Sequence, residues 1–347
     1  MRNPRRILVV RTDRIGDVVL ATPLIRALRR TFPDAFIGAM VRPYTRDVLL
    51  HNPHLNEIII DDPSGEHAGR SGFWKQVMAL RQRRYDTALL LLPTERAAWM
   101  LFWAGIPRRV GVGTKLYGVL TFMQGVSRRK YIPLRHEADY CLDLARKIGV
   151  LTDDLSTEVF LTSDERKRGK EILREAGAKE DDLLVGFHIG SGNSAPNWEP
   201  AKYGELAEFL IRRTPKSLKI IFTDGTNTAS LPRNPHLIDL RAKLTLRELM
   251  SVLSHERVLF SSSTGPMHIA AALRVPTVSL FCPLTACSPT LWGPKGNDAH
   301  VILPHEGYCS KQCPGDPKVC RLDDPSVERV AEILLGRISS EVRIPQS

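Results

Sequence analysis

The sequence predicts an α/β protein made of two successive doubly wound units, each a parallel sheet with helices on both faces. Three observations carry this. First, short β-branched or leucine-rich runs alternate with longer amphipathic stretches, the order that gives parallel sheets. Second, the alternation restarts after about residue 160. Third, each half opens with an apolar run that enters a polar, glycine-bearing turn, "RTDRIGD" at 11–17 and "SGNSAPNW" at 191–198. A chain of 347 residues is also too long for one ordinary core and fits two domains.

In the first half, "RILVV" (6–10) reads as a buried strand and 18–30 as a helix. "AFIGAMV" and "NEIIIDD" are the next strands, "FWKQVMALRQRRY" is a helix, and "DTALLLL" is a strand that stops at Pro93. "AAWMLFWAGIPRR" (97–109) reads as a helix buried in this unit, with contact at a membrane interface as the competing reading. The boundary falls between Gly149 and Ser163, giving units of 1–160 and 161–347. Thr162 and Glu165 have capping-box spacing and open a helix. "LLVGFHIG" is a strand, 200–213 a helix with Pro200 near its start, "LKIIFTDG" a strand, "TLRELMSVLSH" a helix and "RVLFSS" a strand. "STGPMHIAAAL" then starts a helix, "VPTVSLF" is a further strand, 292–324 is rich in loops, and "PSVERVAEILLGRI" is the last helix. No short-period repeat suggests a solenoid.

The composition is globular, with 43% hydrophobic and 25% charged residues. No apolar run approaches the ~18–20 residues needed to span a bilayer. The start, "MRNPRRILVV", has too short an apolar run for a signal peptide. Both features predict a cytoplasmic protein. The net charge of +11 is uneven: residues 1–150 hold 25 Lys and Arg against 13 Asp and Glu, a net of +12. That half therefore expects an anionic partner such as lipid head groups, nucleic acid or a phosphorylated substrate. Nucleic acid ranks last, because no recognition motif or base-stacking aromatic spacing is present.

The stretch "SSSTGPMHIAAALRVPTVSLF" (261–281) concentrates hydroxyls, a glycine and a histidine where a strand becomes a helix. A helix N-terminus offers unpaired N–H groups and a partial positive charge, which suits phosphate. Ser263 or Thr264 would cap the helix, Gly265 would let a ligand near the backbone, and His268 sits one turn in. Pro266 suits the first turn. "GSGN", comprising Gly190, Ser191, Gly192 and Asn193, and "TDG", with Asp224, end other strands of the same half. In an open parallel sheet these turns share the carboxyl edge, where ligands bind. The expected ligand is a nucleotide diphosphate. No G-x-G-x-x-G follows an opening strand and no Walker motif exists, so neither NAD nor a P-loop is expected.

Six segments then identify a family. "ILVVRTDRIGDVVLATPLIRALRRTFPDAFIGAMV", "WAGIPRRVGV", "HEADYCLDLARKIGV", "GFHIGSGN", "LTLRELMSVLSHERVLFSSSTGPMHIAAAL" and "VPTVSLFCPLTACSPTLWGP" occur in that order. From about Ile7 to about Leu335 the chain resembles the family 9 glycosyltransferases, typified by ADP-heptose:lipopolysaccharide heptosyltransferases. The resemblance implies a GT-B fold, with two Rossmann-like domains facing across a cleft. The first would bind the acceptor, a lipid A–Kdo-type inner core, and the second the nucleotide sugar. It also implies inverting transfer without metal or cofactor, by an enzyme peripheral to the inner leaflet of the cytoplasmic membrane.

The resemblance makes Asp17 the general base, with Asp13 as the competing carboxylate of the same turn. Arg14, Arg96 and Arg109 become candidates to grip acceptor phosphate or carboxylate, which guanidinium matches bidentately; Arg42, Arg108 and Arg135 are further candidates. The donor residues would be Gly190, Ser191, Gly192, Asn193, Asp224, Asn227, Ser263, Thr264, Gly265 and His268. The chain departs from the family where a lysine is expected before Trp198, since Pro196 and Asn197 stand there. It departs again at Ser263 and Asn227, where acids are expected. ADP-heptose is thus the default donor. The alternatives are another GT-B transferase or epimerase with a different nucleotide sugar, or a non-catalytic binding homologue. Cys309, Cys313 and Cys320 do not have zinc-finger spacing and read as structural or free thiols.

Overall fold

In the computed structural model the described residues are 3–113, 115–127, 132–192, 195–214, 217–225, 231, 234–316 and 319–339. They form two compact units, residues 1–160 and 161–347. In the first, the strands are β1 (Arg6–Val10), β2 (Phe36–Val41), β3 (Glu57–Ile60), β4 (Thr87–Leu90), β5 (Arg108–Val112) and β6 (Gln124–Val126). They pair in parallel in the order β3-β2-β1-β4-β5-β6. The helices are α1 (Ile15–Val19), α2 (Thr22–Thr31), α3 (Gly69–Arg83), α4 (Glu95–Trp103), α5 (Leu116–Leu120) and α6 (Glu137–Arg146).

The second unit repeats the plan. Its strands are β7 (Leu183–His188), β8 (Leu218–Thr223), β9 (Leu237–Asp239), β10 (Val258–Ser262), β11 (Thr277–Leu280) and β12 (Ala299–Ile302). Their order is β12-β11-β10-β7-β8-β9, again parallel throughout. Around them lie α7 (Ser163–Glu175), α8 (Pro200–Arg213), α9 (Leu246–Leu253), α10 (Gly265–Ala272), α11 (Pro289–Trp292), α12 (Tyr308–Gln312) and α13 (Val327–Ser339). In each sheet the chain starts at the centre, winds to one edge, then returns to the other side of its first strand. The reversal leaves a crevice at the carboxyl ends of β1 and β4, and another at those of β7 and β10.

The capping box read at Thr162/Glu165 forms, and a second one forms at Thr245/Glu248. The single helix read over 18–30 is instead two, α1 and α2. Thr22 explains the break: its hydroxyl donates to the Val19 carbonyl at 2.7 Å and accepts from the Glu158 amide at 3.0 Å. Arg26 holds the same segment through Glu158 at 2.8 Å, so the end of the unit is strapped to α2. The loop-rich 292–324 carries a strand, β12, which completes the sheet. No described helix is long and apolar enough to cross a membrane.

The aromatic core of the second unit, Phe187, Trp198, Tyr203, Phe222 and Phe260, packs one face of the sheet under α8 and α13. The opposite face hides a liability. Glu256 is buried, and neither carboxyl oxygen has a hydrogen-bond partner among the described residues. Gly186 makes room for it, since a Cβ there would sit 1.9 Å from Glu256 Oε2. Burial holds this carboxyl well above its ordinary range. It therefore stays protonated in the fold while the unfolded chain ionises above about pH 4.3. The unfolded state then binds fewer protons, so stability falls as pH rises through that window. Glu256→Met is expected to raise stability by about 1–3 kcal/mol. In thermal unfolding the gain should be larger at pH 8 than at pH 5.5; an equal gain at both would contradict the assignment.

Candidate functional site

The first crevice is organised by a residue that the sequence reading did not single out. Arg11 leaves the end of β1, is buried, and holds three carboxylates. Its guanidinium meets Asp17 Oδ1 at 2.6 Å, Asp13 Oδ1 at 2.9 Å and Glu137 Oε1 at 3.0 Å. Glu137 arrives from the first turn of α6, whose N-terminus His136 caps by accepting from the Ala138 amide. The only sign in the sequence was an arginine directly after a buried strand. Nothing local announces a partner 126 residues away.

The two aspartates differ in how Arg11 holds them. Asp17, in α1, accepts a well-directed hydrogen bond from Nη2. The Asp13 contact is an ion pair only: Arg11 Nε and Asp13 Oδ1 are both buried without a hydrogen-bond partner among the described residues. Burial pushes the Asp13 carboxyl up to about 7; Arg11 pulls it down, and the charge of Asp17 adds to the rise. The Asp13 carbonyl in turn accepts from the Tyr44 hydroxyl at 2.8 Å. A carboxyl poised near neutrality at a switch point is where proton transfer is expected.

The arginine candidates separate. Arg14 is exposed at the N-cap of α1. Arg96, in the first turn of α4, donates to His67 O at 2.8 Å and to Asp61 Oδ1 at 3.3 Å, and its guanidinium lies over the Phe73 ring. Arg109 departs from expectation. It is buried, with its guanidinium donating to the Thr121 and Ile106 carbonyls. Those bonds close the α5 turn onto β5, a structural task that leaves no fork for an acceptor. Arg135 likewise is held by Asp139 and Asp143.

In the second unit three turns meet at the carboxyl edge. Thr223, His188 and Ser261 stand in register across β8, β7 and β10. His188 Nδ1 shares a 3.0 Å hydrogen bond with Thr223 Oγ1. Burial pushes the imidazole down to about 4, so it is neutral at pH 7. Gly190 must be glycine for a spatial reason: a Cβ would lie 2.2 Å from Asp224 Oδ1, so the 190 and 224 turns touch. Gly192 has φ +55°, in the left-handed region. Ser191 Oγ donates to Ala195 O at 2.9 Å. Asn197, where the family lysine was expected, is a clip. Its amide donates to Ile189 O, and its oxygen accepts from Ser262 and Tyr203.

Thr264 is the N-cap of α10 but makes no side-chain capping bond, and its hydroxyl is buried without a partner among the described residues. Ser263 and Gly265 flank it, and His268 is buried one turn in. Asn193 and Asn227 lie outside the described residues. Cys309, Cys313 and Cys320 are free thiols, and no group of three or more His, Cys, Asp or Glu among the described residues is arranged to hold a metal.

Two parallel units in this strand order, each with its polar turns at the switch point, define a GT-B glycosyltransferase architecture. The sequence model of glycosyltransferase family 9 (heptosyltransferase) matches residues 73–318, and the chain belongs to that family. Lipopolysaccharide heptosyltransferase 2 of Escherichia coli K12 is 27% identical over 320 residues, covering 87% of this chain and 89% of that protein. Among solved structures, the family 9 glycosyl transferase of Veillonella parvula superposes with a TM-score of 0.81 at 24% identity, covering 97% of each chain. The E. coli ADP-heptose lipopolysaccharide heptosyltransferase II gives 0.76 at 23%, covering 96% of this chain and 98% of that one.

Proposed function

We propose that this glycosyltransferase moves a heptose from ADP-heptose to the lipopolysaccharide inner core, with inversion and without metal or cofactor. The acceptor, of the lipid A–Kdo type, binds the first unit and the nucleotide sugar the second. The enzyme works in the cytoplasm, peripheral to the inner leaflet. The names of the relatives support the donor and the acceptor. The observation that carries the chemistry is the Asp13 carboxyl held near 7 beside Arg11.

The reading assigns the base to Asp13 rather than Asp17. Asp17 is committed to a directed hydrogen bond with Arg11, whereas Asp13 has charge beside it but no N–H aimed at Oδ1. Asp13 takes the proton of the acceptor hydroxyl, and the oxygen attacks the anomeric carbon. The bond from that carbon to the diphosphate breaks, and ADP carries away the electron pair. The N-terminus of α10 stabilises the departing charge. Pro266 has no N–H, so Gly265 and Met267 supply the free amides of that turn.

A first test is Thr264→Val. The threonine hydroxyl has no partner among the described residues, so the isosteric change should leave the thermal stability of the free protein unimpaired. If the hydroxyl awaits a diphosphate oxygen, ADP affinity by calorimetry falls about tenfold or more. Unchanged affinity would remove the hydroxyl from the donor site. Chelation by EDTA should leave transfer intact; a loss restored by a divalent cation would contradict the metal-free reading.

A further inference from the structure

Helix α4 was expected to be buried, and it is only partly so. Trp103 is 47% exposed and Trp74, on α3, 45%. Their rings touch at 5.7 Å between centroids, and the contact continues from Trp74 to Phe73 and from Trp103 to Trp99 and Phe102. Phe102 meets Phe122 at 6.3 Å, beyond the end of α5, and Phe122 is 76% exposed. On α5 itself Leu116, Val119 and Leu120 are exposed. Three helices thus share one apolar surface, of the kind that marks an interaction site. Between α3 and α4 it dips into a recess of about 530 Å³ lined by Phe73, Trp74, Trp99, Trp103, Arg70 and Arg96.

We propose that this surface seats the first unit on the head-group layer of an anionic bilayer, with the tryptophans at the interface and Arg70 and Lys115 on lipid phosphates. Three observations favour a bilayer. Tryptophan has an apolar body and a polar N–H, which suits the level of the head groups. Arg70 lines the recess beside the rings, and Lys115 is exposed at the N-cap of α5, next to the exposed Leu116, in a half of the chain with a net charge of +12; two copies packed face to face would set these cations against each other. Finally, Arg96 lies over Phe73 and bonds Asp61, which follows β3, so one end of the recess lies by the carboxyl edge of the sheet, the edge from which the turn carrying Asp13 also leaves. A lipid-anchored acceptor would then reach the base without leaving the membrane. The inference rests on the lipid-acceptor reading above and names the surface that serves it.

The test uses the full chain with phosphatidylglycerol-containing and pure phosphatidylcholine vesicles. Flotation should show binding that favours the anionic vesicles and weakens with salt, and lipids brominated near the head group should quench tryptophan fluorescence. Trp74→Gln/Trp103→Gln should lower partitioning about tenfold or more and abolish most of the quenching. Arg70→Ala/Lys115→Ala should lower it severalfold on anionic vesicles only. Both variants should keep wild-type transfer to a water-soluble, deacylated acceptor. Equal binding by wild type and the tryptophan variant, or no quenching, overturns the inference while soluble-acceptor transfer keeps the functional reading intact. A concentration-dependent dimer that the tryptophan variant disperses, without vesicle binding, also overturns it. Vesicle binding and quenching without transfer to any acceptor would instead sink the heptosyl reading alone.

Discussion

Arg11→Met is expected to destabilise the protein by about 3–5 kcal/mol, the cost of removing one partner from a buried charge network. The substitution keeps much of the apolar stem but strands Asp13, Asp17 and Glu137 in a place that water hardly reaches. Urea denaturation would show a lower midpoint with an unchanged slope. The loss should be smaller at pH 5 than at pH 8, because protonation of the Asp13 carboxyl removes part of the stranded charge. Arg11→Lys should recover part of the stability, since it restores a positive charge but not the fork that reaches three acids. A wild-type midpoint for Arg11→Met would mean that the cluster does not hold the crevice together.

Asp13→Asn should slow transfer by about 10²–10⁴-fold, the usual contribution of a general base. ADP affinity should stay close to wild type, because the proposed donor turns lie in the other unit. In the wild type kcat/KM should rise with pH and level off above about 7, since only the ionised carboxyl of Asp13 accepts a proton. Asp17→Asn separates the two aspartates. The charge of Asp17 helps to raise the Asp13 carboxyl, so removing it should move the acid limb to lower pH while leaving substantial turnover. If Asp17→Asn abolishes transfer and Asp13→Asn spares it, the roles are exchanged.

What the sequence revealed, and what it hid, follows from the range of the interactions. The strand–helix alternation and the capping box at Thr162/Glu165 depend on neighbours a few residues apart, and they read directly. So did the polar turns that end β7, β8 and β10, because a strand ending in Gly, Ser or Thr before a helix has local chemistry. The break at Leu20–Ala21 did not read, because Thr22, which starts the second helix, is held by Glu158, far along the chain. Arg109 looked like an acceptor ligand because a basic residue says nothing about which carbonyls will surround it. Arg11 and Glu137 come together only after β1 and α6 have packed. Asn197 is a related case: the absence of the expected lysine read as a lost charge, whereas the fold uses its amide to tie β7, β10 and α8 together. The tryptophans of α4 misled in the opposite direction, since an apolar helical stretch is the same string of letters whether the other side meets a sheet or solvent.

The central claim is tested most directly by incubating the purified chain with ADP-heptose and a heptose-deficient inner-core acceptor, then following ADP release and the anomeric configuration of the new linkage by NMR. The account predicts ADP release in step with product, a new linkage of configuration opposite to the donor's, and the loss of both in Asp13→Asn. Product with the donor's configuration retained, or undiminished transfer by Asp13→Asn, would contradict it.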